Sequence, residues 1–394
     1  MVGVTPHQRK ISDLVTELLE WYSKNARDLP WRQTKDPYGV HVSEVMLQQT
    51  QVHTVIPYWK RWMEALPDIR SLARAKPEKL HKLWEGLGYY SRVRNLQKAA
   101  LVIVERHGGR FPTRFEDVLE LPGVGRYTAG AVCSIAFNQA KPILDGNVMR
   151  VLCRLFGVEG DPRAPKTNES LWRLAEQLVE QADLKGNRNG GGTDHPVSEL
   201  NQSLMELGAL ICTARQPRCG ECPVSGICVA RKENRVGELP RRIPRPPAVA
   251  RRFMAFVVEQ TGRFLVRQRP AEVVNAHFWE FPNLEILGGK TNPKDVSRKV
   301  LGGTMESVKP LCAIKHTITR YRITLEVFEA VAKRHGKPRV SGGQWVSVAE
   351  LHRLPLTSAH KKILQLMDLR MGEDRRGRSF TLRSPRSRGG SFGL

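Results

Sequence analysis

The sequence predicts a mainly α-helical domain followed by a smaller α+β domain. Residues 1–236 repeat apolar side chains at spacings of three and four, which is the period of a helix with one buried face. Over residues 250–370 the apolar side chains instead alternate, as they do in β-strands. The basic, proline-rich segment 237–249 between them is typical of an extended linker. Residues 371–394, rich in Arg, Gly and Ser, predict a disordered basic tail.

In the first domain, helices are predicted where the 3.6-residue period is clearest. These stretches are 11–22, 42–62, 96–104, 128–136 and 171–182. The glycine-rich residues 186–192 interrupt the pattern and predict a flexible surface loop.

In the second domain, strands 253–258 and 263–268 flank Thr261-Gly262 and predict a β-hairpin. The later elements are strands at 325–331 and 344–348 and a closing helix at 359–369. The order of strands and helices indicates an α+β arrangement.

The chain is strongly basic, with 63 lysines and arginines against 39 aspartates and glutamates, a formal net charge of +24. An excess of this size indicates a nucleic-acid partner, since no strongly basic amphipathic helix points to a membrane surface. No apolar run approaches the ~20 residues of a membrane span, and residues 1–10 lack the apolar stretch of a signal peptide. We therefore expect a soluble cytoplasmic protein, associated with the nucleoid.

Four of the seven cysteines lie close together, at Cys212, Cys219, Cys222 and Cys228, with the spacing C-x6-C-x2-C-x5-C. In a reducing compartment such a cluster indicates a metal site rather than disulfides. Zinc sites usually combine two short cysteine hooks, whereas this set contains one. An iron–sulfur cubane, which takes one thiolate per iron, suits unevenly spaced ligands better. Zinc stays open as the alternative.

Residues 121–129 (LPGVGRYTA) predict a tight turn between two helices. Gly123 and Gly125 allow positive φ and close backbone approach. The N–H groups that begin the following helix then form a phosphate site, which would position DNA without reading its sequence. A plain pair of helices joined by a glycine turn is the alternative.

Two carboxylates of this basic domain, Glu44 and Asp145, are candidates for a catalytic role. Glu44 is predicted early in a helix, where its ordinary role would be to complement the helix dipole. Asp145 precedes another helix, where its ordinary role would be an N-cap. Because the same basic domain also contains a cysteine cluster and a glycine hairpin, a catalytic role for the two carboxylates is favoured instead.

Together these motifs resemble the helix-hairpin-helix DNA glycosylase superfamily that carries a 4Fe–4S cluster, and within it the MutY-type adenine glycosylases. The resemblance covers residues 10–230. Its supporting strings are the hairpin and residues 28–32 (DLPWR), 43–51 (SEVMLQQTQ), 84–92 (WEGLGYYSR), 144–150 (LDGNVMR) and 201–228.

The resemblance implies a monofunctional hydrolase that removes adenine. Glu44 would be the acid that protonates adenine N7, and Asp145 the carboxylate that stabilises the cationic sugar. Tyr127 and Asn147 would support them. Tyr127 also occupies the position of the Schiff-base lysine in the related bifunctional endonuclease III type, and tyrosine cannot form an imine, so strong lyase activity is not expected.

By the same resemblance, Arg27, Leu29 and Trp31 would line the adenine pocket, although Trp31 also suits an ordinary core position. Gln49 and Tyr89 would insert at the opposite base, while the neighbouring Tyr90 could belong to the core. The expected partner is double-stranded DNA with 8-oxoguanine:A or G:A mispairs, bound by a monomer.

Residues 250–370 resemble the family's Nudix-like domain, most clearly at residues 279–282 (WEFP). The stretch 295–304 lacks the carboxylates with which active Nudix hydrolases bind magnesium, so nucleotide hydrolysis is not expected. The family's lesion-sensing turn usually reads Phe-Ser-His; alignment on His316 places Ile318, Thr319 and Arg320 there. We expect His316, Thr319 and Arg320 to contact DNA, with ordinary strand residues as the alternative.

Two competing functions remain at this point. One is a pyrimidine-damage glycosylase of the same fold, which Tyr127 and the second domain disfavour. The other is a catalytically silent iron–sulfur DNA-binding protein, which the presence of Glu44 and Asp145 disfavours.

Overall fold

The computed structural model forms two compact units, Met1–Arg245 and Pro246–Leu394. It describes residues 5–188, 193–241, 247–270, 273, 275–318, 320–333 and 338–374. Most of the 186–192 loop, part of the linker and the tail after residue 374 therefore lie outside the described residues. The boundaries proposed for linker and tail stay predictions.

The first unit is helical throughout its described part. Its helices are α1 Pro6–Asn25, α2 Pro37–Leu47, α3 Val52–Ala65, α4 Ile69–Arg74, α5 Pro77–Trp84, α6 Ser91–Arg106, α7 Phe115–Leu119, α8 Arg126–Phe137, α9 Gly146–Phe156, α10 Pro165–Arg188, α11 Pro196–Leu210 and α12 Val229–Lys232. One core joins the apolar faces of α1, α9, α10 and α11, with Leu14, Val151, Leu178 and Leu204 fully or almost fully buried.

The single helix predicted over 42–62 is wrong. Helix α2 ends at Leu47 and α3 begins at Val52. The intervening residues are polar, and Gln49 has a φ of 56°, a left-handed conformation that a helix does not tolerate. Because α2 begins at Pro37, Glu44 lies in its last turn and not early in a helix. The predicted first-turn dipole role of Glu44 is therefore wrong as well.

The second unit contains two four-stranded sheets. Its strands are β1 Val249–Val257, β2 Glu259–Gln260, β3 Arg263–Gln268, β4 Trp279–Glu280, β5 Asn283–Glu285, β6 Met305–Ile318, β7 Tyr321–Ala332 and β8 Gly343–Ser347. One sheet has the order β5-β1-β7-β6, and the other has β2-β3-β4 with β8 paired to β3. The helices are α13 Pro293–Leu301, α14 Val348–Arg353 and α15 Ser358–Asp374.

The hairpin at Thr261-Gly262 is present, but its first strand is only β2, Glu259–Gln260. Strand β1, predicted as that partner, instead pairs with β7 in parallel and with β5 in antiparallel orientation. Burial explains the difference, since residues 254–258 are all buried. A strand covered on both faces belongs in a sheet centre rather than in an exposed hairpin.

Candidate active site

A cavity of about 490 Å³ lies in the first unit, among α2, α8, α9, α11 and the segment before α2. The structure brings eight predicted site residues to its wall. They are Arg27, Leu29, Trp31, Glu44, Gln49, Tyr127, Asp145 and Asn147. Residues from distant parts of the chain thus meet in a space of the size typical of small-molecule sites.

Glu44 is 5% exposed and accepts a 2.6 Å hydrogen bond at Oε2 from the Tyr127 hydroxyl. Burial raises the pKa of the Glu44 carboxyl to about 7; the charge of Asp145 adds to this, while the bond from Tyr127 opposes it. The position near the C-terminal end of α2 also disfavours a negative charge there. Glu44 is therefore a carboxyl that can hold a proton at neutral pH.

Asp145 is the N-cap of α9, which is the ordinary role predicted from its position before a helix. Its side chain accepts hydrogen bonds from the backbone N–H groups of Asn147 at 3.0 Å and Val148 at 2.8 Å, and from Asn147 Nδ2 at 3.0 Å. Burial raises the pKa of Asp145, but these hydrogen bonds and the Arg150 charge act against burial. The two carboxyls of one cavity therefore stand in different surroundings, and Asp145 has the donors that favour an anion.

A third carboxylate, Glu206 on α11, was missed by the sequence analysis. It is fully buried and pairs with Arg27 at 2.7 Å and with Arg32 at 2.9 Å. Although burial alone raises the pKa of Glu206, the hydrogen bonds from both arginines lower it to about 2. Arg27 therefore lines the cavity as a partner in an ion pair with Glu206. Glu206 lies 179 residues from Arg27, and no local pattern connects the two.

Trp31 satisfies both interpretations offered for it. It is 6% exposed and packs edge-on against Trp59 with ring centroids 6.2 Å apart. The same side chain lines the cavity.

Gln49 and Tyr89 lie in two separate loops, between α2 and α3 and between α5 and α6. Both side chains are exposed and both residues have left-handed backbone, with φ of 56° and 46°. Tyr90 is 3% exposed and belongs to the core. The structure thus separates two neighbouring tyrosines that the sequence could not distinguish.

The glycine turn joins α7 and α8 as predicted. Gly123 has a φ of 79°, and a Cβ there would lie 2.5 Å from the Cβ of Asn95. Gly125, by contrast, has a φ of −106° and is the N-cap of α8, so it does not use the positive φ that a glycine allows.

The four clustered cysteines line one cavity formed with α9 and the end of α11, and they are unpaired. Arg154 donates to Cys212 Sγ at 3.2 Å. Thiolates spread around a cavity suit a cubane with one ligand per iron, so the donor set fits a 4Fe–4S cluster.

In the second unit, His316 lies on β6, and its Nδ1 is buried without a partner. Arg320 immediately precedes β7 and donates to the Tyr321 hydroxyl at 3.3 Å. Thr319, between the two strands, lies outside the described residues. On helix α13 the acidic residue Asp295 pairs with Arg298.

Comparisons with known proteins agree with this organisation. Residues 42–177 match the HhH-GPD superfamily of base excision DNA repair proteins, residues 212–228 the iron–sulfur binding domain of endonuclease III, and residues 253–366 the NUDIX domain.

Relatives match over most of the chain. An adenine DNA glycosylase of Homo sapiens is 35% identical over 89% of this chain and 73% of its own. Another, of Schizosaccharomyces pombe, is 34% identical over 73% of each chain. A solved thermostable thymine-DNA glycosylase has a TM-score of 0.51 and 29% identity, covering 58% of this chain and all of its own. Within the described ranges, none of the helices has the length and apolar character needed to cross a membrane.

Proposed function

The chain belongs to the adenine DNA glycosylase family, and we propose that in base excision repair it hydrolyses the N-glycosidic bond of adenine mispaired with 8-oxoguanine or guanine. One observation carries the catalytic part of this proposal. Glu44, which burial keeps protonated up to about pH 7, shares a cavity with Asp145, whose three hydrogen-bond donors favour the anion.

The reaction needs two carboxyls in opposite charge states. Adenine leaves poorly as an anion, and a proton from Glu44 to its N7 removes that obstacle. The sugar becomes cationic as the bond breaks, and the carboxylate of Asp145 stabilises it. The adenine must first leave the duplex, at about a few kcal/mol. Water then attacks the sugar, and Glu44 can accept its proton.

Tyr127 explains why the product is an abasic site rather than a cleaved strand. Its hydroxyl donates to Glu44 and cannot form an imine with the sugar. Asn147 donates to Asp145 and in turn accepts from Arg150 at 2.9 Å. Both residues therefore orient the carboxyls.

Cys212, Cys219, Cys222 and Cys228 hold the 4Fe–4S cluster. When bound, the cluster supplies a rigid anchor for the loop that carries Arg215 and Arg218. We propose that this loop and the backbone N–H groups after Gly123 and Gly125 contact phosphates. That the protein acts as a monomer, in the cytoplasm on nucleoid DNA, stays a prediction.

The pH dependence should report Glu44 directly. The raised pKa of about 7 means that the acid form predominates below pH 7 and is lost above it. We expect the single-turnover rate of adenine release to fall about tenfold per pH unit above pH 7. Rates between pH 5.5 and 9, with binding checked at each pH, measure this. A rate that rises through pH 7 would contradict Glu44 as the acid.

The opposite base is the part of the proposal that depends on the second unit. We propose that the turn between β6 and β7, with Arg320, and His316 on β6 sense 8-oxoguanine. Their support is the alignment with the family's sensing turn and the match of residues 253–366 to the NUDIX domain.

Single-turnover assays on 8-oxoguanine:A, G:A, T:A and G:T duplexes, with alkaline cleavage of the product, test the function. We expect release of adenine from the first two, fastest opposite 8-oxoguanine. Deletion after residue 240, and Arg320→Ala in the full chain, should reduce that preference. Release of thymine from G:T alone would replace the proposal with a pyrimidine glycosylase. An unchanged preference in both variants would remove the sensing role.

A further inference from the structure

Arg92, near the start of α6, is a buried arginine to which the catalytic scheme gives no role. It is 8% exposed. Burial lowers the pKa of its guanidinium to about 10, so the group stays charged at neutral pH. No carboxylate forms a salt bridge with it within the described ranges. A charge buried in this way must be compensated by hydrogen bonds.

One half of the guanidinium binds the end of helix α2. Its Nη1 donates to the carbonyl oxygens of Val45 at 2.8 Å, Met46 at 3.0 Å and Gln48 at 2.6 Å. Carbonyls at a helix C-terminus lack partners within the helix and favour a cation. Arg92 therefore caps the helix whose last turn carries Glu44.

The other half binds the loop between α5 and α6. Its Nη2 donates to the carbonyl oxygens of Leu87 at 2.9 Å and Gly88 at 3.1 Å. It also lies 3.4 Å from the Thr50 hydroxyl, in the loop after α2. One planar group thus connects two loops that are about 40 residues apart in sequence.

Each of these two loops carries an exposed residue with left-handed backbone, Gln49 in one and Tyr89 in the other. Such backbone persists only when the surroundings hold it in place. The Arg92 guanidinium also lies 5.7 Å from the ring centroid of Tyr89. The fork geometry is specific to arginine, since a lysine ammonium cannot reach both sets of carbonyls in one plane.

We propose that Arg92 is a positioning residue. Its hydrogen bonds hold the loop of residues 48–51 and the loop of residues 85–90 in a fixed position relative to each other and to the end of α2. This inference rests on the proposed function in one respect, namely that Gln49 and Tyr89 enter the duplex opposite the extruded adenine. The insertion of Gln49 and Tyr89 into the duplex then depends on the same contacts that position the helix turn carrying Glu44.

The first test needs neither DNA nor catalysis. In the full-length, cluster-loaded protein, Arg92→Lys and Arg92→Met should increase amide hydrogen exchange in both residues 48–50 and residues 86–89. Arg106→Lys, at the exposed end of the same helix, is the matched control and should leave exchange unchanged. If exchange rises in one loop only, or in neither, the two-loop link is overturned.

The second test separates positioning from general damage. With 2-aminopurine next to the target adenine, Arg92→Lys should lower the unstacking signal and the plateau rate about 10–100-fold, with the pH midpoint unchanged. The plateau rate of the double variant Tyr89→Ala with Arg92→Lys should be little lower than that of either single variant, because both substitutions act through the loop that carries Tyr89. Additive losses, or a shifted pH midpoint, would overturn the proposal. Failure of the wild-type protein to release adenine would refute the function, while the exchange result would still decide the role of Arg92.

Discussion

Glu44→Gln should lower adenine release about 10²–10⁴-fold while leaving DNA binding largely intact. Glutamine keeps the size of the side chain and can still accept the hydrogen bond from Tyr127, but it has no acidic proton to give to the base. Because burial of the charged carboxyl is unfavourable at this position, its replacement by a neutral amide should not lower stability. Single-turnover rates and equilibrium binding to an 8-oxoguanine:A duplex measure the two effects separately.

Glu64→Gln is the matched control, since Glu64 is exposed on α3 and contributes nothing to the cavity wall. It should retain the wild-type rate. Appreciable turnover by Glu44→Gln, or a loss of binding as large as the loss of rate, would remove Glu44 from the role of acid.

Asp145→Asn should lower the rate about 10²–10³-fold at nearly unchanged stability. Asparagine is as good an N-cap as aspartate, so the bonds from the N–H groups of Asn147 and Val148 can be kept. What disappears is the negative charge beside the cationic sugar. The variant thus separates the two roles of Asp145, and rates together with thermal unfolding temperatures report them.

Asp68→Asn provides the comparison for capping alone. Asp68 caps α4 by accepting from the N–H of Ser71 at 2.7 Å and lies outside the cavity wall. It should change neither rate nor unfolding temperature appreciably. If Asp145→Asn retained its rate, Asp145 would be a structural cap only.

Much of the fold could be predicted because the helix and strand periods are local properties of the chain. Residues 11–22 and 171–182 lie inside α1 and α10 as predicted. The two errors in the fold have different causes, a local break in a helix and the burial of a strand. The apolar period runs through the polar break after Leu47, and the buried strand β1 pairs far along the chain with β7 instead of with its neighbour.

The same division applies to the site. Local motifs marked Glu44, Asp145 and the four cysteines as residues able to do this chemistry. Glu206 was not found, since its partners Arg27 and Arg32 lie more than 170 residues away. Arg92 was also passed over, because its significance lies in backbone carbonyls that no sequence motif displays.

By itself, then, the sequence determined the family, the two domain types and which side chains could donate protons, bind metal or carry charge. Only the tertiary structure decided how those groups behave. A pKa depends on burial and on neighbours, and for Glu44 these are a tyrosine 83 residues away and an aspartate that caps another helix. Such neighbours are created when distant helices pack together, so the proton on Glu44 is a property of the folded cavity rather than of any stretch of chain.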